Sequence, residues 1–333
     1  MVYEMKPLFE QRMKKLLPNA DDFEKFNKII HTGPRNFIRC NTLKITSDEL
    51  IKRLNKKWTV VQPFNNFPEI MLIESELGPG ELGNAIEHIL GYYYVQEISS
   101  MMSVLALDPK PREFILDLFA SPGSKTTQIA ARMKNSGTLI ANDLKIDRIM
   151  ILSANLERCS VTNVIITKND AVGLASRFAE TNFKFDKILL DAPCSGEGTL
   201  RSSPKTFVMW NPKVVQKLSR QQKKFFALAI KCLKVGGTLV YSTCTHAPEE
   251  NEEIVDFALK NFPVRIESLA LPLKCRPGIT NWEDEAFSKE VEKTCRIYPQ
   301  DNDSEGFFVC KMTLLEEIKE NKHLNSYQHY DKY

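Results

Sequence analysis

FILDLFASPGSKTTQIAARM, residues 114–133, is the stretch that decides the fold. An apolar run over 114–120 is followed by a Pro-Gly turn and then by sequence typical of a helix. Strand-like segments recur downstream, each separated from the next by helix-like sequence: TLIAND (138–143), NVIITKND (163–170), FDKILLDAP (185–193) and GGTLVYSTCT (236–245). This alternation predicts an α/β fold, a doubly wound and mostly parallel sheet with helices on both faces.

The region before this stretch has a different pattern. It contains, in order, a strand-like, a helix-like and a strand-like segment, and then a strand-to-helix bridge: FIRCNTLKI (37–45), SDELIKRLNK (47–56), WTVVQPF (58–64) and GYYYVQEISSMMSVLAL (91–107). A βαβ pattern of this length predicts a small α+β substrate-binding domain. We therefore divide the chain into an N-terminal domain over 1–108, a catalytic domain over 109–315 and a polar tail over 316–333.

The composition is that of an ordinary globular protein, with 43% apolar and 26% charged residues in a chain of 333. No apolar stretch approaches the roughly 18 residues that span a bilayer, and the N-terminus does not resemble a secretory signal. The eight cysteines form no CxxC pair, which argues against a zinc site. We expect a cytoplasmic protein with neither membrane nor metal, whose cysteines are free thiols available for chemistry.

The net charge of +3 permits a nucleic-acid partner without implying one. The clearest basic cluster, KLSRQQKK at 217–224, is equally well interpreted as the solvated face of a helix.

Ligands of doubly wound sheets bind at the carboxyl ends of the strands, so the loop after the first strand is the first candidate site. Its small residues and its Pro-Gly turn let the backbone approach a ligand closely, although a tight turn without a ligand explains this loop alone equally well. A P-loop and a dinucleotide GxGxxG are both missing from the sequence. The candidate cofactor residues of this loop are Phe119, Ala120, Ser121, Pro122, Gly123, Ser124 and Lys125.

Two acids end the following strands. Asp143 is placed to accept hydrogen bonds from ribose hydroxyls, and Asp170 to contact the edge of an adenine. Either acid alone is more often a helix cap. Together with the loop, they favour a nucleoside-containing cofactor without a phosphate cradle, and S-adenosylmethionine fits that description best.

Two cysteines follow the fourth and fifth strands, in DAPCSGEG (191–198) and YSTCT (241–245). Either one alone is more often a buried structural thiol. As a pair, Cys194 and Cys244 are expected to face one crevice beside Asp191. A thiolate that adds to carbon 6 of cytosine makes carbon 5 nucleophilic, and an acid near N3 favours that addition.

Six segments carry a resemblance to a known family: DLFASPGSKTTQ, DAPCSGEG, LVYSTCT-HAPEENE, RCNTLK, YYYVQEISS and SEGFFVCK. Together they resemble the Fmu/Sun family of RNA cytosine-5 methyltransferases, over about residues 39–311. The resemblance implies a Rossmann-like methyltransferase fold, an N-terminal RNA-binding domain, S-adenosylmethionine as the methyl donor and RNA as the partner. The compact form favours tRNA over rRNA by analogy, and we expect a monomer.

The resemblance also implies roles for individual residues. Cys244 would be the nucleophile, Cys194 would assist product release, and Asp191 would contact the cytosine. The implied cofactor contacts are Phe119 to Lys125, Asp143, Asp170 and Asp191, with Arg148 as a further candidate. The family's loop is closer to CAAPG, whereas this chain has FASPG, so Phe119 and Ser121 put the methionine end of the cofactor pocket in doubt.

In the N-terminal domain, Arg39, Lys44, Trp58 and Tyr92 to Tyr94 are candidates for phosphate and stacking contacts with RNA. Support of the domain junction is an equally good interpretation of each.

Two rival functions remain open. A DNA cytosine-5 methyltransferase would use Cys194 as the nucleophile, but the expected ENV-type segment is missing and Cys244 would have no role. A catalytically idle RNA-binding scaffold would have no need of both cysteines.

Overall fold

The structure, a computed structural model, describes residues 4–181 and 183–318. The predicted tail therefore lies, from residue 319 onward, outside the described residues. The helices are α1 (Pro7–Leu16), α2 (Ala20–Ile29), α3 (Ser47–Leu54), α4 (Glu81–Asn84), α5 (Ile86–Ile89), α6 (Ile98–Leu107), α7 (Ser124–Arg132), α8 (Ile146–Arg158), α9 (Ala171–Ala179), α10 (Lys205–Met209), α11 (Pro212–Ala229), α12 (Glu252–Asn261) and α13 (Pro299–Asn302). The strands are β1 (Asn36–Cys40), β2 (Val60–Val61), β3 (Ile70–Ile73), β4 (Tyr93–Val95), β5 (Phe114–Asp117), β6 (Thr138–Asp143), β7 (Val164–Lys168), β8 (Phe185–Asp191), β9 (Leu233–Thr243), β10 (Val264–Glu267), β11 (Arg276–Pro277), β12 (Asn281–Trp282), β13 (Glu285–Ala286), β14 (Cys295–Ile297) and β15 (Phe307–Leu314).

The large sheet has the order β11-β14-β15-β9-β8-β5-β6-β7, and β10 pairs with β15. The five strands predicted from the sequence, β5 to β9, are mutually parallel, which confirms the doubly wound sheet. From β5 the chain proceeds outward through β6 and β7 and then returns to the other side of β5 as β8. The strand order thus reverses between β5 and β8, where a ligand crevice is expected.

The strand β15, which the sequence analysis did not predict, is antiparallel to β9. It extends the sheet and presents Phe307 at its first position, close to the carboxyl end of β9, since Phe308 is paired with Thr243. An antiparallel strand next to β9 therefore brings a late segment of the chain to the same edge as the predicted site.

The N-terminal unit is a four-stranded antiparallel sheet with the order β2-β3-β1-β4, together with helices α1 to α5. The α+β class is as predicted, but the βαβ pairing is not. The segment β2 pairs with β3 instead of β1, because β3 (Ile70–Ile73), a short buried strand, inserts between them. The helix α3 begins as predicted, with a capping box formed by Thr46 and Glu49.

Helix α6 joins the two units. Nine of its ten residues are buried, an arrangement typical of a helix packed on several sides. One apolar cluster contains Met101 and Val104 of α6, Ile115 and Leu189 of the large sheet, and Phe37 of the small one. The helix ends at Asp108, which has left-handed backbone geometry, just before the predicted boundary. That boundary stays a prediction, although α6 packs as part of the larger core.

One expectation about the cysteines is wrong. Cys275 and Cys295 form a disulfide, with Cα atoms 5.0 Å apart. The cause is the pairing of β11 with β14, which sets Pro277 opposite Cys295 and so brings Cys275 alongside. The remaining six cysteines are free thiols.

Candidate active site

The two candidate cysteines lie side by side at the carboxyl edge of the large sheet. Strands β8 and β9 are in register, with Asp191 opposite Ser242, so the segments that follow them leave the sheet at adjacent points. The Sγ atoms of Cys194 and Cys244 are 3.2 Å apart. Both residues are half-buried, which leaves the pair within reach of a ligand.

The Asp191 carboxylate is held by two partners. Its Oδ2 is 2.8 Å from the Lys125 ammonium, and its Oδ1 accepts a hydrogen bond of 2.6 Å from the Ser242 hydroxyl. Burial would lower the pKa of Lys125, but the charges of Asp191 and Cys244 raise it above its usual value. Lys125 is therefore a fixed cation next to the cysteines.

A cavity of about 320 Å³ opens at these residues. Cys244, Asp191 and Lys125 line it, together with Glu97 from the segment before α6 and Phe307 of β15. Its volume is at the lower end of the range for small-molecule sites. Cys194 is not among the described residues that line it, so Cys244 is the cysteine that faces a ligand there.

A buried acid, Glu250, holds the loop that carries Cys194, residues 192–198. Glu250 accepts a hydrogen bond from the Ser195 backbone N–H at 3.0 Å and another from Gln222 at 2.8 Å. Burial raises the pKa of Glu250 to about 7. Gln222 also donates to the Pro193 carbonyl. The hydrogen bond to Cys244, together with burial, raises the pKa of the Cys194 thiol well above its ordinary value.

Two glycines connect the cysteine loop to β15. The Gly198 N–H donates to the Cys244 carbonyl at 2.9 Å, and the Gly306 N–H donates to the Gly198 carbonyl at 2.8 Å. A Cβ on Gly198 would overlap the backbone of Gly306, and a Cβ on Gly306 would overlap the ring of His246. Only glycine allows this approach, which sets the position of the Cys244 backbone.

The candidate cofactor loop makes a tight turn from β5 into α7. Gly123 has a φ of 105°, and a Cβ there would lie 3.1 Å from Leu152 Cδ1. Ala120 is buried, Pro122 is exposed, and Ser124 starts α7. Where this chain departs from the family's loop, the side chains point to neighbouring helices: Phe119 packs on Phe225 with ring centroids 4.9 Å apart, and the Ser121 hydroxyl donates to the Arg148 carbonyl.

Asp143 is 3% exposed at the end of β6, and its Oδ2 receives no hydrogen bond from any described residue. The Arg148 guanidinium is 3.5 Å from that oxygen and donates to the Ser121 carbonyl at 2.7 Å. A buried carboxylate oxygen with free acceptor capacity next to a glycine turn fits the ribose of S-adenosylmethionine.

Asp170 is exposed and caps α9 by accepting a hydrogen bond of 2.9 Å from the Gly173 N–H. This is the helix-cap interpretation that the sequence left open. Asp117, which the sequence analysis did not select, is buried beneath the loop. Burial raises its pKa to about 7, even though Thr126 donates a hydrogen bond to it.

Most of the predicted RNA contacts of the N-terminal domain are buried instead. Arg39 is 2% exposed, and its guanidinium binds Gln96, the Ser124 carbonyl and the Thr127 hydroxyl. Its ring neighbour Tyr94 is also buried. Arg39 therefore joins β1 to α7, and the domain-junction interpretation holds for it.

The other aromatic candidates follow the same rule. Trp58 and Tyr93 are buried, and each donates a hydrogen bond within the N-terminal unit, to Glu81 and to the Leu82 carbonyl respectively. Stacking of an RNA base on either ring is therefore excluded in this conformation. Lys44 stays exposed, and Tyr92 is half-buried beneath Arg53.

Besides Asp117, three residues of the site were missed by the sequence analysis. Glu97 and Phe307 lie in the quoted segments YYYVQEISS and SEGFFVCK, and Glu250 lies in HAPEENE, so each was present in a motif without an assigned role. No helix within 4–181 and 183–318 is long and apolar enough to cross a membrane. The same residues contain no cluster of three or more His, Cys, Asp or Glu side chains that could hold a metal ion.

Comparison with known proteins places this arrangement in a family. Residues 104–313 match the model of the 16S rRNA methyltransferases RsmB/F, and residues 5–98 match the N-terminal domain of the 16S rRNA methyltransferase RsmF. The chain belongs to the RsmB/F methyltransferase family. This confirms the resemblance to Fmu/Sun proteins.

Two relatives of this RsmB/F family member are named for different RNA substrates. It is 42% identical to a tRNA (cytosine(49)-C(5))-methyltransferase of Pyrococcus abyssi, over 93% of this chain and 98% of that protein. It is 39% identical to the ribosomal RNA small subunit methyltransferase F of Psychromonas ingrahamii, over 90% of this chain and 61% of that protein. The chain thus spans about three fifths of the latter relative.

Solved structures agree with the family assignment. A methyltransferase homologue from Pyrococcus horikoshii aligns with a TM-score of 0.80 at 33% identity, over 93% of this chain and 95% of that one. The structure of NSun6 from Pyrococcus horikoshii with SFG aligns with a TM-score of 0.81 at 25% identity, over 96% and 100%. The RsmB/F member described here is an S-adenosylmethionine-dependent RNA methyltransferase of the cytosine-5 class.

Proposed function

We propose that this chain methylates carbon 5 of a cytosine in tRNA, with Cys244 as the nucleophile, Cys194 as the residue that assists release, and Asp191 as the contact to the base. The observation that carries the proposal is the pair of sulfur atoms 3.2 Å apart beside the Lys125–Asp191 ion pair.

The two sulfurs differ in what surrounds them. Cys244 lines the cavity, and the Lys125 cation is close enough to stabilise a thiolate there. Cys194 keeps its proton because its pKa is raised, and its S–H can donate to the Cys244 sulfur. These roles favour attack by Cys244 over the DNA-type assignment to Cys194.

The attack forms a bond between Cys244 Sγ and carbon 6 and shifts the ring electrons toward carbon 5. In the adduct N3 takes up a proton from solvent, and the Asp191 carboxylate, which is paired with Lys125, accepts a hydrogen bond from that N3–H or from the amino group of the base. S-adenosylmethionine, when bound, supplies the methyl group that carbon 5 attacks. The carbon 5 proton then passes to solvent, and the electron pair of that C–H bond reforms the double bond between carbons 5 and 6. The bond from carbon 6 to Cys244 Sγ breaks with its electrons returning to sulfur, and the N3 proton returns to solvent. Cys194 assists this release by donating its S–H to the departing Cys244 thiolate.

The cofactor residues of the proposal are Phe119 to Lys125, Asp143, Arg148, Asp170 and Asp191. The loop contributes mainly backbone, since Phe119 and Ser121 are engaged with α11 and α8. Asp143 contributes the free carboxylate oxygen for the ribose hydroxyls.

The choice of tRNA is supported by the higher identity of the tRNA relative and by a match through 98% of its length. Ribosomal RNA is the second candidate, favoured by the family models and by the small subunit relatives. Methylation of total RNA with a labelled donor, followed by mapping of the modified cytosines, decides between them. Label confined to rRNA would overturn the tRNA proposal and leave the chemistry intact.

The chemistry is tested by separating the two cysteines. Cys244→Ala should be inactive and form no adduct, because no bond to carbon 6 can be made. Cys194→Ala should attack and methylate but stall, and should therefore accumulate a protein–RNA band that survives denaturing electrophoresis. The double variant should lose that band. An adduct in Cys244→Ala and none in Cys194→Ala would reverse the assignment.

A further inference from the structure

A second cavity, of about 370 Å³, is lined by residues of β1 and α7, as is the cavity that contains Cys244. Phe37 of β1 and Lys125 of α7 line the first cavity, whereas Arg39 of β1 and Arg132 of α7 line the second. At about 1.5 Å per helical residue, the seven positions from Lys125 to Arg132 span roughly 10 Å. Since Lys125 lies in the first turn of α7 and Arg132 is its last residue, the two cavities lie near opposite ends of this helix.

The second cavity is predominantly cationic. Its lining includes one acid, Glu69, and four basic side chains: Arg39, Lys110, Arg132 and Lys134. Arg132 is 3.5 Å from Glu69 and 3.2 Å from Asp108, and Lys110 shares Asp108 at 2.8 Å. Lys134 makes no ion pair within residues 4–181 and 183–318. Positive charge therefore exceeds negative charge at this cavity.

Arg39 contributes a buried charge that forms no ion pair with a carboxylate of the described residues. Its hydrogen bonds go to an amide oxygen, a backbone carbonyl and a hydroxyl, all of them neutral. Burial lowers its pKa to about 10, so it remains protonated at neutral pH. The Nε atoms of Arg39 and Arg132 are both buried and find no hydrogen-bond partner in the described part of the chain. Because Arg39 is itself buried, its charge raises the positive potential of the cavity without a direct contact to an anion.

We propose that the second cavity binds phosphate groups of the substrate RNA backbone. The inference rests on RNA being the substrate, as in the proposed function. Backbone phosphates are the anions that accompany a base in the first cavity. The second cavity then positions the strand, while the first receives the base.

The exposed lysines allow a test that leaves the buried arginines in place. Lys110→Ala with Lys134→Ala should weaken RNA binding about tenfold near 0.1 M salt. The slope of log affinity against log salt should fall by about 1.4 to 1.8, the value for two lost phosphate contacts. The KM for RNA should rise while kcat and S-adenosylmethionine affinity stay unchanged. The matched control is Lys260→Ala with Lys289→Ala, which removes the same charge from exposed lysines of α12 and the segment before β14.

Three outcomes separate the possibilities. Equal RNA affinity and salt slope in the lysine variant and the wild type would overturn the inference. Micromolar binding of tripolyphosphate to the wild type but not to the variant, with RNA affinity unchanged, would make the cavity a site for a small polyphosphate instead. Wild-type protein that methylates neither tRNA nor rRNA would overturn the proposed function. That result comes from an activity assay, so it is distinguishable from the affinity measurements that test the cavity.

Discussion

The Asp143 carboxylate combines burial with an unused acceptor. One oxygen accepts a hydrogen bond from the Lys145 backbone N–H at 3.3 Å, and the other has, among residues 4–181 and 183–318, only the Arg148 guanidinium at 3.5 Å. If ribose hydroxyls complete this group, Asp143→Ala removes charge-assisted hydrogen bonds of roughly 1.5–3 kcal/mol. We expect S-adenosylmethionine affinity to fall by about one to two decades in calorimetric titration. Asp147→Ala, the same charge change at an exposed position of α8, is the control. Unaltered affinity in Asp143→Ala would remove Asp143 from the site.

Glu250 makes the stability of the cysteine loop dependent on pH. Burial raises its pKa from 4.5 to about 7, so the fold favours the protonated form. Its contribution is most favourable below about pH 4.5, declines as the pH rises to about 7, and is constant above that.

We expect Glu250→Gln to remove this decline, which is at most about 3 kcal/mol from 1.36 kcal/mol per pKa unit. A glutamine oxygen in place of Glu250 Oε2 can still accept hydrogen bonds from the Ser195 N–H and from the Gln222 amide. The melting temperature of the variant should exceed that of the wild type by more at pH 7.5 than at pH 5. A difference that does not change with pH would show that Glu250 is ionised throughout.

For individual residues, the sequence predicted contacts correctly where the position of a residue at the end of a strand determines which side chains lie next to it. Cys194 and Cys244 were expected together because both follow strands of one parallel sheet, and the structure brings their sulfurs into contact. The sequence did not predict which polar side chains are buried by packing between the two units. Arg39 is a phosphate ligand by residue type, but its partners on α7 exist only after the domains pack.

Among the elements, β15 fixes the cysteine loop through the contact of two glycines. Gly306→Ala would push a methyl group into His246 and into Gly198. Overpacking of this kind costs about 1–3 kcal/mol, which lowers the melting temperature by several degrees. We expect kcat to fall as well, because Gly198 donates to the Cys244 carbonyl.

Gly83→Ala is the control for that variant, since a Cβ at Gly83 meets no atom within 4 Å. Its melting temperature and kcat should stay close to those of the wild type. A Gly306→Ala protein with wild-type values would mean that the loop tolerates a wider spacing from β15.

In the large sheet, the strands predicted from sequence are the five parallel ones, which form continuous apolar runs bounded by turns. The antiparallel strand β15 and the short strand β3 were missed for different reasons. β15 is preceded by a helix of only four residues, α13, which is too short to mark a βα unit, and β3 has only four residues. The βαβ interpretation of the N-terminal unit failed because pairing depends on β3, which periodicity alone did not reveal.

For the whole molecule, the decisive element is α6. The sequence places a boundary near Asp108 from its prolines, but the packing of α6 belongs to both units. Its Met101 and Val104 are fully buried against Ile115 and Leu189 of the large sheet. Domain linkers are normally exposed and make few contacts. Since nine of the ten residues of α6 are buried, α6 is not a linker.

Two truncated chains test where the catalytic unit begins. A chain starting at Pro109 lacks α6 and exposes the apolar side chains that α6 covers, so we expect aggregation or no cooperative melting transition. A chain starting at Gln96 keeps α6 and should melt cooperatively and bind S-adenosylmethionine, with reduced RNA affinity because the second cavity loses Arg39. Circular dichroism melting and calorimetry read both results. A Pro109 chain that melts as cooperatively as the Gln96 chain would show that α6 belongs to the N-terminal unit, and that the large sheet covers its apolar face without it.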